Sequence, residues 1–317
     1  MNIVLITPDG PTSRTGNKVA ASRWAKILRG LGHRVRVAGD YDGRPADLMV
    51  AVHAWRSAAA IARFKADYPD RPLVLQLSGT DIYGYITSDP VPTLRSMELA
   101  DRLVALNELA WKVVPRRLRP RLLVMYQSVA RNAPRRPSKR HVVVSVIGHL
   151  RDVKDPLRAA LAARLLPTES RVRVVQVGRA YTSAWGERAR AEMAANPRYV
   201  WRDDVPAAAV RRLLAESHAM VISSLSEGGA NVISEAVVAG VPILASKMDG
   251  NVGLLGADYP GYFPVGDTRG LARLLRRVED DPDFVRKLES ALRKRAPLFR
   301  PAREVAAWKR LLADLRS

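Results

Sequence analysis

The chain has 317 residues, 47% of them hydrophobic, and a formal net charge of +21 from 52 Lys and Arg against 31 Asp and Glu. This length allows two ordinary domains with full cores, and no apolar run reaches the ~20 residues that a membrane helix needs. The absence of cysteine excludes disulfides, thiolate metal ligands and thiol nucleophiles. The positive charge favours anionic partners such as nucleic acids, anionic lipids or phosphorylated substrates, but solvated helix faces account for it equally well.

Two further features narrow the class of protein. The five histidines show no ligand spacing, so we expect no protein-bound metal. The densest basic stretches, 116–121 and 131–140, contain few aromatic residues, and a platform for single-stranded nucleic acid needs such residues for stacking. Nucleic-acid binding is therefore disfavoured. The opening MNIVLIT reads as a strand and has no signal-peptide pattern, so we expect a cytoplasmic protein.

The first half of the chain alternates short apolar runs with helical patterns, starting with a strand, a helix over Lys18–Leu31 and a stop signal at Gly32. Short β-branched runs of this kind are typical of buried strands. They predict six strands in this half: Ile3–Ile6, Val35–Val37, Leu48–Val52, Leu73–Leu77, Leu103–Leu106 and Leu122–Met125.

A polar segment with two prolines, 130–140, follows and predicts a linker. Five more strands are then predicted: Val142–Val146, Val172–Val177, Tyr199–Trp201, Met220–Ser223 and Ile243–Ala245. Strands that alternate with helices predict parallel sheets covered on both faces. We therefore expect an α/β fold with two Rossmann-like domains, 1–135 and 136–300, that face each other across a cleft. The helical segment 301–317 is expected to pack back across their interface.

Ligands of such sheets bind beyond the carboxyl ends of the strands, and the loop after the first strand, TPDGPTSRTGNKVA, lies there. It matches neither the P-loop nor the dinucleotide-binding pattern. It is either a flexible loop before a helix or an anion site. In the second case the amides of Gly16 and Asn17 and the side chains of Arg14 and Lys18 would bind the anion.

The second half opens with VSVIGHLRDVKDPLRAA, in which Gly148 ends a strand and a helix is expected to begin near Pro156. Arg151 and Lys154 come just before that helix. Cations are disfavoured at a helix N-terminus by the macrodipole, so two of them there indicate a bound anion.

The segment SEGGANVISEA has a glutamate at each end, Glu227 and Glu235, and follows a short apolar run. Gly228 and Gly229 lie between that strand and the next helix, and a glycine-containing turn at a helix start presents backbone N–H groups to an anion. The segment therefore predicts a phosphate site. The alternative is that both glutamates are solvated surface charges.

These motifs together resemble glycosyltransferase family 4. The resemblance rests on G-x-L-x-x-x-K at 148–154, on S-x-x-E-G-x-A-N-x-x-x-E-A at 224–236, and on the AGVPILAS that follows. It implies the GT-B fold and a nucleotide-sugar donor used without a metal or other cofactor. It also implies a donor site made of Gly148, His149, Arg151, Lys154, Gly228, Gly229, Ala230, Asn231 and Glu235.

Within this resemblance, Glu227 is expected to face the sugar, and Glu235 to accept hydrogen bonds from the ribose. Arg151 and Lys154 would neutralise the departing diphosphate, so Glu227, Arg151 and Lys154 are the expected catalytic residues. The family commonly has arginine directly after the glycine of the first motif, where this chain has His149. Either His149 or Arg151 could contact the diphosphate, and we expect Arg151.

Four longer stretches are similar to the selenosugar-forming branch of this family: GNKVAASRWAKILRGLGHRV, GHLRDVKDPLRAALAARLLP, SEGGANVISEA and GLLGADYPGYFPVGDT. The similarity implies transfer of N-acetylglucosamine from its UDP derivative to selenophosphate. The acceptor would bind at Arg14, Gly16, Asn17, Lys18, Thr80, Asp81, Gln127 and Ser128. Thr80 and Asp81 could equally be a helix N-cap pair. The alternative acceptor is a hydroxyl of a small molecule or of a lipid at an anionic membrane surface, and the sequence indicates no oligomeric state.

Overall fold

A computed structural model of the chain describes residues 1–8, 15–130 and 135–315, and these form two compact units. The first unit consists of Met1–Ser128, Glu227–Asn231 and Phe299–Ser317, and the second of Val129–Ser226 and Val232–Leu298. The change of unit thus falls at 128–129, before the predicted linker. The glycine-containing segment 227–231 is grouped with the first unit, whereas the sequence alone placed it in the second domain.

The first unit contains a six-stranded, fully parallel sheet in the order β2-β1-β3-β4-β5-β6. The strands are β1 Asn2–Ile6, β2 Arg34–Ala38, β3 Leu48–Val52, β4 Leu73–Gln76, β5 Arg102–Ala105 and β6 Leu122–Val124. The α-helices of this unit are α1 Gly16–Gly30, α2 Ala58–Asp67, α3 Ile86–Ser88, α4 Pro90–Leu99 and, after the second unit, α12 Pro301–Asp314.

Alternate residues of each strand supply two separate cores, because successive side chains point to opposite faces of a sheet. In β3, Met49 and Ala51 join the core under α2 and α4. Leu48, Val50 and Val52 join the core formed with α1 and α12. This two-sided burial explains why the strands are continuous apolar runs in the sequence.

The C-terminal helix α12 completes the second of these cores. Trp308, Leu311 and Leu312 of α12 are buried, and the rings of Trp308 and Trp24 meet edge to face with centroids 4.9 Å apart. Full burial of two indoles makes this contact a large part of the core's apolar area.

The second unit repeats the architecture with a parallel sheet in the order β12-β11-β10-β7-β8-β9. Its strands are β7 Val142–Ile147, β8 Val172–Val177, β9 Tyr199–Trp201, β10 Ala219–Ile222, β11 Ile243–Ser246 and β12 Tyr262–Phe263. Its helices are α5 Arg158–Arg164, α6 Ser183–Ala195, α7 Ala207–Glu216, α8 Asn231–Ala239 (from Val232 onward), α9 Asp249–Leu255, α10 Thr268–Asp280 and α11 Pro282–Arg295.

The α/β prediction is confirmed, and all eleven predicted strands are present with small differences at their ends. The twelfth strand was not predicted, because two residues are too few for an apolar run. Among the described residues, no helix combines the length and apolar character that crossing a membrane requires.

Candidate functional site

The segment Glu227–Asn231, here called the glycine loop, connects the region after β10 to α8. A Cβ atom on Gly228 would lie 2.4 Å from the carbonyl carbon and oxygen of Ser78, and one on Gly229 would lie 2.4 Å from Cβ of Leu106. Real Cβ atoms essentially never make such short contacts. Both positions therefore require glycine, because the loop backbone lies directly against the ends of β4 and β5.

Two buried amide side chains hold the glycine loop. Nδ2 of Asn107 donates to the carbonyl of Gly228 (2.7 Å), and Nε2 of Gln127 donates to the carbonyl of Gly229 (2.9 Å). Oδ1 of Asn107 in turn accepts from the backbone N–H of Leu109 (2.8 Å). The loop is thus anchored through both glycine carbonyls. Gln127, predicted to bind the acceptor, is one of these two supports.

The start of α1 lies beside the glycine loop and the end of β4. Oδ1 of Asn17 accepts from the Ser78 hydroxyl (3.1 Å), and Nδ2 of Asn231 donates to the carbonyl of Gly16 (3.3 Å). Thr15 caps the helix by accepting from the N–H of Lys18 (3.4 Å). The structure therefore brings the predicted residues Gly16 and Asn17 to the same place as Asn231. Arg14, predicted to bind the acceptor with them, lies outside the described residues.

His53, at the end of β3, was not predicted and is a partner of Thr80. Its backbone φ is 75°. Non-glycine residues rarely adopt such a value, and those that do are frequently found at functional sites. Nδ1 of His53 accepts from the N–H of Arg56 (3.2 Å), and Nε2 lies 2.8 Å from the Thr80 hydroxyl. In the neutral ring the proton is therefore on Nε2 and is donated to Thr80. The hydroxyl proton of Thr80 is left to point away from the imidazole.

Asp81, which was predicted to bind the acceptor, forms hydrogen bonds with the backbone at the ends of two strands. Its carboxylate is fully buried and accepts from three backbone N–H groups, those of Ala54, Ser78 and Ile82, each at 2.9 Å. Both oxygens are therefore in use, and Asp81 ties the end of β3 to the end of β4. Thr80 occupies the N-cap position of the π-helix Asp81–Tyr85, as the alternative expected, but its side chain makes no capping hydrogen bond.

Ser128 is also engaged within the fold. Its hydroxyl and its backbone N–H both donate to the buried carboxylate of Glu304 on α12. Its hydroxyl proton is therefore committed to Glu304 rather than directed to a substrate.

In the second unit, the predicted residues Gly148 and His149 follow β7, next to the end of β8. A Cβ atom on Gly178, which has φ +137°, would lie 2.2 Å from the carbonyl oxygen of Gly148. Leu150 and Ala180 form a bridge just beyond. The two strand ends therefore meet backbone to backbone at the edge of the sheet where parallel α/β folds bind ligands.

Arg151 lies in this corner with its guanidinium carbon 5.5 Å from the ring centroid of Tyr181. Its Nε is buried and has no hydrogen-bond partner among the described residues. The ring of His149 lies 5.7 Å from the same tyrosine ring. A buried donor without a partner is costly, so this corner is suited to a ligand that offers an acceptor.

Lys154 ends a short 3₁₀ turn, Asp152–Lys154, and does not immediately precede a helix as predicted. Asp155 follows in the left-handed conformation, with φ 44°, so α5 begins at Arg158 rather than near Pro156. The Ser223 hydroxyl lies 3.2 Å from the carbonyl oxygen of Lys154 and 2.9 Å from that of Asp155. The turn is thereby attached to the end of β10.

The predicted donor residues after the glycines start a helix. Asn231 is the first residue of α8, and Glu235 is half-buried on the second turn. At the α-helical rise, Glu235 lies about 6 Å from Asn231 along the helix axis. Ala230 and Glu227 are buried. No group of three His, Cys, Asp or Glu residues suited to a metal ion occurs within residues 1–8, 15–130 and 135–315.

Residues 128–297, just over half of the chain, match the family model described as glycosyl transferases group 1. The chain belongs to this family. No curated protein sequence matches this glycosyltransferase.

Solved structures similar to this glycosyltransferase have the GT-B fold, which is therefore its fold as well. HepE of Anabaena, solved in complex with UDP, is 16% identical with a TM-score of 0.79, and the match covers 99% of this chain and 100% of HepE. Sucrose-phosphate synthase of Thermosynechococcus elongatus is 14% identical with a TM-score of 0.80, covering 99% and 98%. A glycosyltransferase of Rickettsia africae is 12% identical with a TM-score of 0.75, covering 100% and 98%.

Proposed function

We propose that this glycosyltransferase transfers N-acetylglucosamine from its UDP derivative to selenophosphate and needs no metal ion. The family assignment supports sugar transfer, and the UDP complex of the structurally similar HepE supports UDP as the nucleotide. The motif resemblance of 16–35, 148–167, 226–236 and 253–268 supports selenophosphate as the acceptor. The buried Nε of Arg151, which has no hydrogen-bond partner in the described part of the chain, carries the donor half of the proposal.

The donor diphosphate is assigned to the second unit, at Arg151 and Lys154. A phosphate oxygen is the acceptor that a guanidinium fits best, and it would satisfy the buried Nε. Positive charge there stabilises the negative charge that develops on UDP as the sugar leaves. Glu235 is assigned to the ribose hydroxyls and Glu227 to the sugar.

The acceptor is assigned to the first unit, at Gly16, Asn17, Lys18 and Thr80, with Arg14 as an expected fifth residue. Two unit charges about 6 Å apart repel by about 3 kcal/mol at an effective dielectric of ~20. Two multiply charged substrates therefore need compensating donors. The Thr80 hydroxyl, which His53 leaves with an outward proton, provides one such donor.

The reaction requires no base from the protein. Selenium of selenophosphate attacks the anomeric carbon, and the bond from that carbon to the UDP oxygen breaks, leaving its electron pair on UDP. Water then cleaves the selenium–phosphorus bond and releases phosphate and the selenosugar. A selenolate is already anionic, so no proton has to be removed before the first step.

The test is incubation of the purified protein with UDP-N-acetylglucosamine and selenophosphate, followed by mass spectrometry of the products. We expect equimolar UDP and a selenium-containing sugar, and loss of both in Lys154→Ala. Lys287→Ala, an exposed lysine on α11, is the matched control and should be fully active. Release of UDP at the same rate without selenophosphate would contradict the proposed acceptor.

A second candidate acceptor is a lipid hydroxyl at an anionic surface, and one feature of the first unit favours it. Trp111 is 47% exposed, and the guanidinium carbon of Arg119 lies 5.1 Å from its ring centroid. Aromatic and basic side chains together are typical of membrane-surface contacts. Sedimentation with phosphatidylglycerol vesicles tests this candidate, and binding lost in Trp111→Ala would support it.

A further inference from the structure

A fully buried carboxylate on α12 stands next to the glycine loop's supports. The Glu304 side chain is 0% exposed and accepts from Nε of Arg23 (3.1 and 3.2 Å), from Nε1 of Trp24 (2.8 Å), and from the N–H and hydroxyl of Ser128. A buried carboxylate is tolerated only when it is paired and fully hydrogen-bonded. Glu304 meets both conditions through its contacts with Arg23, Trp24 and Ser128.

Arg23 uses the rest of its guanidinium to orient two amide side chains. Nη2 donates to Oε1 of Gln127 (2.6 Å), and Nη1 donates to Oδ1 of Asn231 (3.3 Å). A guanidinium has no acceptor, so both amides must turn their oxygens towards it and their NH₂ groups away from it. Those NH₂ groups are the ones that donate to the carbonyls of Gly229 and Gly16.

We propose that Arg23 and Glu304 are positioning residues that fix the glycine loop and the start of α1 in their reactive geometry. The path runs from the carboxylate on α12 through the guanidinium to two amides, and from these to Gly229 and Gly16. The inference rests on the proposed function, in which Glu227 of the glycine loop binds the donor sugar and the start of α1 binds the acceptor. It gives α12 a positioning role in the reaction, although no residue of α12 is assigned to a substrate.

Stability alone is a weak explanation for this arrangement. Apolar residues of similar volume often stabilise a fold as well as a buried ion pair does, and α12 is already held by Trp308, Leu311 and Leu312. The guanidinium of Arg23 instead orients the groups around it, because its planar fork donates to Glu304, Gln127 and Asn231 at once.

Arg23→Lys tests the role directly, because lysine keeps the charge beside Glu304 but lacks the fork that orients both amides. We expect kcat to fall about 10- to 100-fold with both substrates saturating, since a misplacement near 1 Å has this effect. The thermal midpoint should match that of Arg29→Lys. Arg29 is on the same helix and donates to the carbonyl of Val35 (2.7 Å), which lies outside the candidate site, so Arg29→Lys should keep full kcat.

Hydrogen exchange provides a readout that does not depend on the proposed reaction. The backbone amides of residues 228–231 should exchange faster in Arg23→Lys than in the wild type. In Arg29→Lys their exchange rates should equal those of the wild type. Faster exchange in a protein that shows no sugar transfer would retain the positioning role and reject the proposed function. Unchanged exchange together with unchanged kcat would overturn the positioning role. So would a lowered thermal midpoint with normal kcat. If Arg23→Lys does not fold, Glu304→Gln takes its place in both assays, because its single amide oxygen cannot accept from Arg23, Trp24 and Ser128 as the two carboxylate oxygens do.

Discussion

The contact between Gly228 and the end of β4 leads to a sharp mutational prediction. An alanine methyl at Gly228 would lie 2.4 Å from the carbonyl carbon and oxygen of Ser78 and 2.5 Å from the backbone nitrogen of Gly79. Ordinary carbon contacts are about 3.5–4.0 Å, so the loop must move by about 1 Å. Because the obstructing atoms are backbone at the end of a central strand, they cannot swing aside as a flexible side chain would.

We expect Gly228→Ala to lower kcat/KM about 100-fold, which is the effect of a ~1 Å displacement on a reaction that depends on orientation. The displacement also stretches the 2.7 Å hydrogen bond from Asn107 to the Gly228 carbonyl. Overpacking of this kind costs about 1–3 kcal/mol of unfolding free energy. UDP release at varied donor concentration measures the first effect, and urea unfolding measures the second.

Gly30→Ala is the matched control, because Gly30 ends α1 and a Cβ there meets nothing within 4 Å. It should leave kcat/KM unchanged and stabilise the helix by up to about 1 kcal/mol. Wild-type activity in Gly228→Ala would show that the loop tolerates displacement, and the assignment of the glycine loop to the donor would then be wrong.

Three further predictions concern the core, the pH dependence and the acceptor. Trp24→Phe should lower the free energy of unfolding by about 1–3 kcal/mol more than Trp308→Phe does. Trp24→Phe removes a donor to the buried carboxylate of Glu304. Trp308→Phe removes a buried N–H that has no partner among the described residues. Burial and, to a smaller extent, the charge of Arg135 lower the pKa of His218 in the folded protein. The free energy of unfolding should therefore fall as the pH drops below ~6.5, because the unfolded chain binds a proton at this histidine before the folded chain does. Chemical unfolding at pH 7.5 and 5.5 measures the difference. Thr80→Val should raise the KM for selenophosphate about 10-fold or more through loss of a hydrogen bond to a charged group, whereas Thr80→Ser should not, as initial rates will show.

Each of these predictions has a clear contrary result. Equal destabilisation by both tryptophan substitutions would mean that the carboxylate contact contributes nothing. A pH dependence that persists unchanged in His218→Gln would assign it to other groups. A Thr80→Val enzyme with unaltered KM would remove Thr80 from the acceptor site.

The strands were predictable because two-sided burial produces apolar runs, and Leu48–Val52, Val172–Val177 and Tyr199–Trp201 match to the residue. The start of α5 was predicted two residues too early, because the left-handed turn at Asp155 leaves no signal in the sequence. Pro156 alone indicated a helix start.

The site was predictable only where its residues are neighbours in the chain. The glycine loop lies within one short motif, and so do Gly148, His149, Arg151 and Lys154. Arg23 contacts Asn231 across 208 positions and His53 contacts Thr80 across 27, and no local pattern encodes such partners. The role of His53 depends on a backbone angle and a tautomer, both of which exist only in the folded chain.

The position of α12 in the chain has a consequence for how the protein is made. Proteins fold domain by domain during synthesis, usually from the N-terminus. Here the core that Trp24 shares with Trp308 lacks one of its helices until the ribosome has translated the whole of the second unit. During synthesis, the face of the first sheet that α12 covers therefore stays incompletely covered until α12 has been made. The second sheet can be complete before that.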